Sequence, residues 1–145
     1  MQIRFATAQD AVALYRLNAL FNGHHCSSVN QIAAFLSAPH SEIILLAQQE
    51  QLLSIGFCCA QLHHSFCYPV PTGIISELYV LPEYRRQGVA AALLTVVEAE
   101  LSYQGAGELQ LCTGLENFPA QQLYTTCGYF RAQECVYQKQ LRQTE

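Results

Sequence analysis

Hydrophobic positions recur along this chain with two different periods, and the switches between them mark its elements. Ile3 to Ala6 is a short apolar strand. Thr7 or Asp10 caps a helix that runs to about Phe21, with Val12, Leu14, Leu17 and Leu20 on a loosely helical face, and Asn22-Gly23 ends it. Ser28 or Asn30 starts a second short helix, Gln31 to Leu36, closed by Pro39. Ile43 to Gln48 and Leu52 to Leu62 are apolar strands on either side of the polar turn Gln49-Glu50-Gln51. Pro69, Pro71 and Gly73 break the chain before a β-branched and aromatic strand, Ile74 to Leu81, which Pro82 stops. A third helix starts near Gln87, its stripe of Val89, Leu93, Val97 and Leu101 spaced four apart, and Gly105-Ala106-Gly107 ends it. Leu109 to Thr113 reads as a strand, Pro119 to Cys127 as a helix, and Tyr129 to Leu141 as two short strands. No repeat or linker interrupts this order, which predicts one domain of mixed α/β (α+β) structure spanning residues 1–145.

The most informative stretch is Glu77 to Leu94, a strand, a tight turn and a helix. Arg85, Arg86, Gln87 and Gly88 lead directly into an alanine- and leucine-rich helix. The first N–H groups of a helix lack partners within it and carry the positive end of its dipole. A glycine lets a ligand approach that backbone, and two arginines add charge. The product is a place for a phosphate or pyrophosphate. No Gly-Lys-Ser/Thr follows, and the triple-glycine spacing of a dinucleotide fold is absent.

Arg85-x-x-Gly88-x-Ala90, following Tyr79-Val80-Leu81-Pro82, resembles the acyl-CoA pyrophosphate loop of the GCN5-related N-acetyltransferases, the GNAT family. Asn117-x-x-Ala120-x-x-Leu123-Tyr124-x-x-x-Gly128-Tyr129 is similar to that family's next signature, without a gap. The resemblance implies a GNAT fold, with a mixed, mostly antiparallel sheet of about seven strands flanked by about four helices. It implies acetyl-CoA as cosubstrate and no metal. It implies that backbone groups of Leu78, Tyr79 and Val80 pair with the pantetheine arm, and that one N–H faces the thioester carbonyl. Arg85, Arg86, Gln87, Gly88, Val89, Ala90 and Ala91 would hold the pyrophosphate. Ala90 stands where many members have glycine. Asn117 matches a position that often binds the cofactor arm, and is otherwise a helix cap. Tyr124 matches the tyrosine that protonates the departing thiolate, and is otherwise a packing residue.

Glu77 is the leading candidate for general base, working through water; the alternative is a carboxylate that only binds a cationic substrate. Alternation puts it on the same side as Tyr79 and opposite Leu78. Glu42 and Glu116 are weaker candidates. Adjacent His63 and His64 point to opposite faces of a strand, so the pairs His24-His25 and His63-His64, with His40 alone, would share an ion only by converging with a carboxylate; one or two of them, with Tyr68 and the loop from His63 to Gly73, are candidates for lining an acceptor pocket.

Composition narrows the function further. Of 145 residues, 51% are hydrophobic and only 12% charged, with a net charge of −4, so a nucleic-acid partner is not expected. The low charge, together with the resemblance, implies a homodimer. No apolar run approaches the roughly 20 residues that span a bilayer, and no signal peptide is visible, so a cytoplasmic protein without a membrane partner is expected. The seven cysteines contain no CxxC pair and read as reduced thiols, with adjacent Cys58 and Cys59 pointing to opposite faces of a strand. The expected activity is acetyl transfer from acetyl-CoA to a primary amine of a small molecule by direct attack. The alternatives are a protein or peptide N-acetyltransferase and a non-catalytic CoA-binding sensor.

Overall fold

The computed structural model describes residues 1–142. They divide into two compact units, Met1–Cys112 and the remainder from Thr113. The first unit carries β1 (Gln2–Phe5), a single 3-10 turn (Ala8–Asp10), α1 (Ala11–Asn22), α2 (Val29–Ser37), β2 (Ile43–Gln48), β3 (Ser54–His63), β4 (Thr72–Val80), α3 (Val89–Tyr103) and β5 (Glu108–Leu111). The five strands form one sheet in the order β1-β2-β3-β4-β5, antiparallel throughout except for the parallel β4–β5 pair.

Local chemistry fixes the first helices. The Asp10 carboxylate accepts the Thr7 N–H at 2.7 Å and two guanidinium bonds from Arg4 at 2.8 and 2.7 Å, which ties β1 to the start of α1. Ser28, not Asn30, caps α2: its hydroxyl accepts the Gln31 N–H at 3.2 Å while the Gln31 side chain accepts the Ser28 N–H at 2.8 Å. On α1 the buried positions are Ala11, Leu14 and Leu17, and Phe21 extends this face; Val12 and Leu20 stand exposed on the far side, against expectation. At 100° per residue Val12 falls opposite the Leu14–Leu17 line, so burying both sides is impossible.

The two faces of the sheet are covered by different helices. Phe21 of α1 stacks on Tyr79 at 5.0 Å and meets Phe57 edge-on at 6.2 Å. The opposite face receives α3, whose Val89, Leu93, Val97 and Leu101 are buried, as the four-residue spacing predicts. Cys58 and Cys59 do point to opposite faces, and the Cys58 thiol, deep in the core, is pushed up to about 12 by burial. A bulge decides which β4 residues reach which face. Cys59 pairs with Glu77 but Ala60 pairs with Ile75, leaving Ser76 as the extra residue. Glu77 and Tyr79 therefore share the α1 face, whereas Gly73 and Ile75 turn toward α3.

Several boundaries differ from the sequence reading for physical reasons. β3 begins at Ser54 rather than Leu52 because Gln51 and Leu52 take left-handed conformations (φ 63° and 62°) in the turn. Gly73 lies inside β4 instead of breaking it: a Cβ there would come within 2.6 Å of Leu109 and 3.0 Å of Leu101, so glycine is what lets the strand pass under α3. α3 starts at Val89, two residues late, because Gly88 (φ 81°) is its left-handed cap.

The second unit contains α4 (Phe118–Thr126). The two strands expected between Tyr129 and Leu141 are absent from the described residues, so the sheet has five strands and not about seven. A strand exists only with a ladder partner, and residues 130–142 are exposed and enter no ladder.

Candidate functional site

β4 is paired on both sides for only part of its length. Its register with β5 runs from Thr72↔Glu108 to Ile75↔Leu111 and stops there, while its register with β3 continues to Val80. From Ser76 to Val80 the edge facing β5 is open. The Leu81 N–H donates to the Ile55 carbonyl at 2.8 Å, and alternation along an antiparallel ladder then assigns Tyr79 and Glu77 to bonds with β3. The backbone groups of Leu78 and Val80 consequently point out of the open edge. Of the three residues expected to offer backbone groups to a ligand, Leu78 and Val80 are so oriented and Tyr79 is not. Gly56, paired with Val80, makes the close fit of β3 and β4 possible: a Cβ on it would lie 2.7 Å from the Tyr79 carbonyl oxygen.

The loop after β4 turns this edge into a helix start. Pro82–Tyr84 makes a 3-10 turn, and Arg85 is extended. Arg86 and Gly88 then take left-handed conformations, φ 61° and 81°. A left-handed arginine is uncommon and carries strain, a pattern concentrated at functional sites. The first bond of the α3 ladder is from the Ala92 N–H to the Gly88 carbonyl, so the N–H groups of Val89, Ala90 and Ala91 precede the ladder. Nothing lies within 4 Å of where a Gly88 Cβ would be. Successive N–H groups in such a turn, at the positive end of a helix, form a concavity for an anion. Arg86, Gln87 and Gly88 are exposed there; the Val89 side chain is core, so only its backbone is available.

Arg85 behaves differently from its neighbour. Its Nε donates to the outward Val80 carbonyl at 2.9 Å, and its guanidinium lies 5.5 Å from the centre of the Tyr79 ring. It braces the junction of strand and loop. Gln87 donates to the Glu83 carbonyl at 3.1 Å.

In the second unit, Asn117 accepts the Ala120 N–H at 3.3 Å and so caps α4. Tyr124 is half-buried on α4 and meets the Tyr129 ring edge-on at 6.0 Å. The Tyr129 N–H bonds back to the Tyr124 carbonyl at 2.9 Å, so the helix and the residues after it hold the phenol.

Glu77 is half-buried on the α1 face, directly across from Cys59. Glu42, which sequence reasoning placed second, is half-buried beside Cys59, and burial raises its carboxyl above the usual carboxylate range. It lies immediately before the first residue of β2. Among the described residues no group of three or more His, Cys, Asp or Glu side chains could hold a metal ion.

An open strand edge running into an anion-receptive helix start suits a long ligand that ends in phosphates. The comparisons agree with that class: the chain belongs to the acetyltransferase (GNAT) family, whose profile matches residues 8–129. An uncharacterised N-acetyltransferase of Bacillus subtilis, YhfO, is 32% identical over 139 residues, 89% of each chain. The aminoglycoside N(6')-acetyltransferase type 1 of Stenotrophomonas maltophilia is 25% identical over 93% of this chain and 90% of that one. The Salmonella typhimurium protein of the same name is 26% identical, but this chain spans only 61% of its length. Among solved structures, AAC(6')-Iy bound to a CoA-based bisubstrate analogue shares the fold with a TM-score of 0.83 at 22% identity, over 96% of this chain and 97% of that one. A probable acetyltransferase superposes over the full length of both chains with a TM-score of 0.80 and 26% identity. Among the described residues no helix is long and apolar enough to cross a membrane.

Proposed function

We propose that this protein transfers the acetyl group of acetyl-CoA to a primary amine of a small molecule. The observation that carries the reading is the open edge of β4 beyond Ile75, continuous with the left-handed loop at Arg86 and Gly88. The outward N–H and carbonyl of Leu78 and the outward Val80 N–H suit the amide-rich pantetheine arm, and the loop and the N–H groups of Val89, Ala90 and Ala91 suit the pyrophosphate. In this reading the outward Leu78 N–H donates to the thioester carbonyl, whose oxygen gains negative charge during attack. The amine arrives as an ammonium and must lose a proton; Glu77, the residue before Leu78 and on the other face, receives it directly or through water. The neutral nitrogen attacks the carbonyl carbon, the carbon–sulfur bond breaks, Tyr124 gives a proton to the thiolate, and the second proton, shed by the nitrogen as the amide forms, returns to the Tyr124 phenolate through solvent. The family likeness supports the role of Tyr124.

Direct attack within a ternary complex requires no acyl-enzyme, and the thiol across from Glu77, Cys59 on β3, is no activated nucleophile: it is buried and pushed well above its ordinary range by burial and nearby carboxylates. The aminoglycoside-acetylating relatives favour a polycationic small amine as acceptor, and a net charge of −4 agrees with a cationic substrate. A cytoplasmic homodimer completes the reading. The test is acetyl-CoA turnover against a panel of small amines and peptides, read as released thiol, with CoA binding followed calorimetrically on the same sample. Turnover of small amines supports the proposal. Turnover confined to peptides replaces the acceptor class, CoA binding with no turnover converts the protein to a sensor, and absence of CoA binding overturns the reading.

A further inference from the structure

Leu78 and Val80 turn the same pair of groups, an N–H followed by a carbonyl, out of the open edge of β4. An extended arm whose amide pairs with one of them fits the other after a slide of two residues, about 6.6 Å. Such a repeating edge specifies register weakly unless something marks one position. Arg85 marks one here. Its Nε donates to the Val80 carbonyl at 2.9 Å, and its guanidinium lies over the Tyr79 ring, 5.5 Å from the centre. That ring is itself fixed: it is buried, stacked on Phe21 of α1 at 5.0 Å, and 6.3 Å from the Phe57 ring of β3. The guanidinium is thereby committed to the strand. What stays open along the edge is the Leu78 N–H, the Leu78 carbonyl and the Val80 N–H, in that order.

We propose that Arg85 is a positioning residue that sets the register of the acyl-CoA arm on β4 by occupying the Val80 carbonyl, and is not a ligand of the pyrophosphate. This rests on the acetyltransferase reading above. In the permitted register the thioester carbonyl accepts from the Leu78 N–H. The nearest amide N–H of the arm then donates to the Leu78 carbonyl, and the carbonyl of that amide accepts from the Val80 N–H. Slid two residues toward the loop, the thioester would sit at Val80, and the same amide N–H would need the carbonyl that Arg85 already holds. The slid register also carries the thioester carbon away from Glu77, which adjoins Leu78, so it is unproductive. Arg86, exposed and left-handed at the start of α3, remains as the guanidinium of the loop for the anion.

Two substitutions separate the donor from the charge. Glutamine carries its amide nitrogen as many bonds from Cα as arginine carries Nε, so Arg85→Gln keeps the donor and removes the charge. Lysine has a methylene at that point, so Arg85→Lys keeps the charge and displaces the donor. Arg85 is exposed, and neither change touches the core. With acetyl-CoA varied and a small amine held at saturation, Arg85→Lys should lower kcat and KM together by at least about threefold, the mark of a second, unproductive way of binding. A merely structural defect lowers kcat without lowering KM. Arg85→Gln should bring both constants back toward those of the unaltered protein. If Arg85→Lys does not fold, Arg85→Met, neutral like Arg85→Gln but without its donor, carries the same expectation. A raised KM in Arg85→Gln beside unaltered kinetics in Arg85→Lys makes Arg85 a ligand of the phosphates and overturns the inference. So does a KM that fails to fall with kcat in the variant lacking the donor. Either result leaves the acetyltransferase reading intact, whereas absence of CoA binding or of any turnover by the unaltered protein overturns both.

Discussion

Gly88→Ala adds one methyl group at the head of α3, and its two consequences have separate magnitudes. Gly88 sits at φ 81° and ψ 5°, and a Cβ there meets nothing within 4 Å, so no protein atom has to move. The cost to the free protein is conformational, about 1–2 kcal/mol for an L-residue in the left-handed region. Alanine also restricts the unfolded chain, which offsets roughly 0.4–1 kcal/mol. The remaining loss of about 1 kcal/mol lowers Tm by about 3 °C in a chain of this size. Gly105, at the other end of the same helix, provides an internal reference: its φ is 102° and its Cβ position is equally open. Gly105→Ala should lower Tm by a similar amount. The two variants should part company on CoA. A methyl group at Gly88 stands beside the N–H groups proposed to hold the pyrophosphate, and losing one charge-assisted hydrogen bond costs about 1.5–3 kcal/mol. That is at least about a tenfold weaker Kd for Gly88→Ala, with no change for Gly105→Ala. Scanning calorimetry gives the first quantity and titration calorimetry the second. Equal CoA affinity in the two variants would refute the assignment of the loop.

Three further outcomes follow from other parts of the structure. Gly56→Ala forces a Cβ within 2.7 Å of the Tyr79 carbonyl and should destabilise the protein by about 1–3 kcal/mol in denaturant titration, and CoA affinity should fall with the displaced β4 edge. Arg4 and the Thr7 N–H hold the Asp10 carboxyl below its ordinary range, so its stabilisation is complete above the unfolded value near pH 4 and is lost as pH falls through the lower folded value; thermal unfolding of Asp10→Asn should lack this acid-side component and show a loss of roughly 1–3 kcal/mol at neutral pH. Tyr124→Phe keeps the ring against Tyr129 and removes the hydroxyl, so kcat should fall by about a hundredfold with CoA affinity unchanged, and full activity in the variant would remove Tyr124 from the acid role.

The parts of the fold that a local pattern determines were legible in the sequence. The stripe from Val89 to Leu101 is buried as its spacing requires, Ile43–Gln48 is a strand to the residue, and Ser28 with Gln31 encodes its own cap. What was not legible depends on partners. Val12 and Leu20 are as hydrophobic as Leu14, and only the direction from which the sheet approaches leaves them in solvent. Gly73 resembles a strand breaker until Leu101 and Leu109 are seen to need its missing side chain. The residues after Tyr129 have the alternation of a strand and enter no ladder among the described residues, and alternation without a hydrogen-bonded neighbour fixes nothing.

The candidate site divides along the same line. Arg86 and Gly88 are candidates already in the sequence because a phosphate-binding turn needs chemistry that is contiguous along the chain, and the structure adds their left-handed conformations. The Ser76 bulge has no comparable signature, yet it reverses the parity of β4, so that Glu77 and Tyr79 face α1 while Gly73 and Ile75 pack toward α3. Without that extra residue, one continuous face of β4 would have to carry both the packing under α3 and the carboxylate proposed to receive the acceptor's proton. The same bulge lies where pairing with β5 ends, so a single inserted residue both frees the edge of β4 and aims Glu77 to the opposite side from α3.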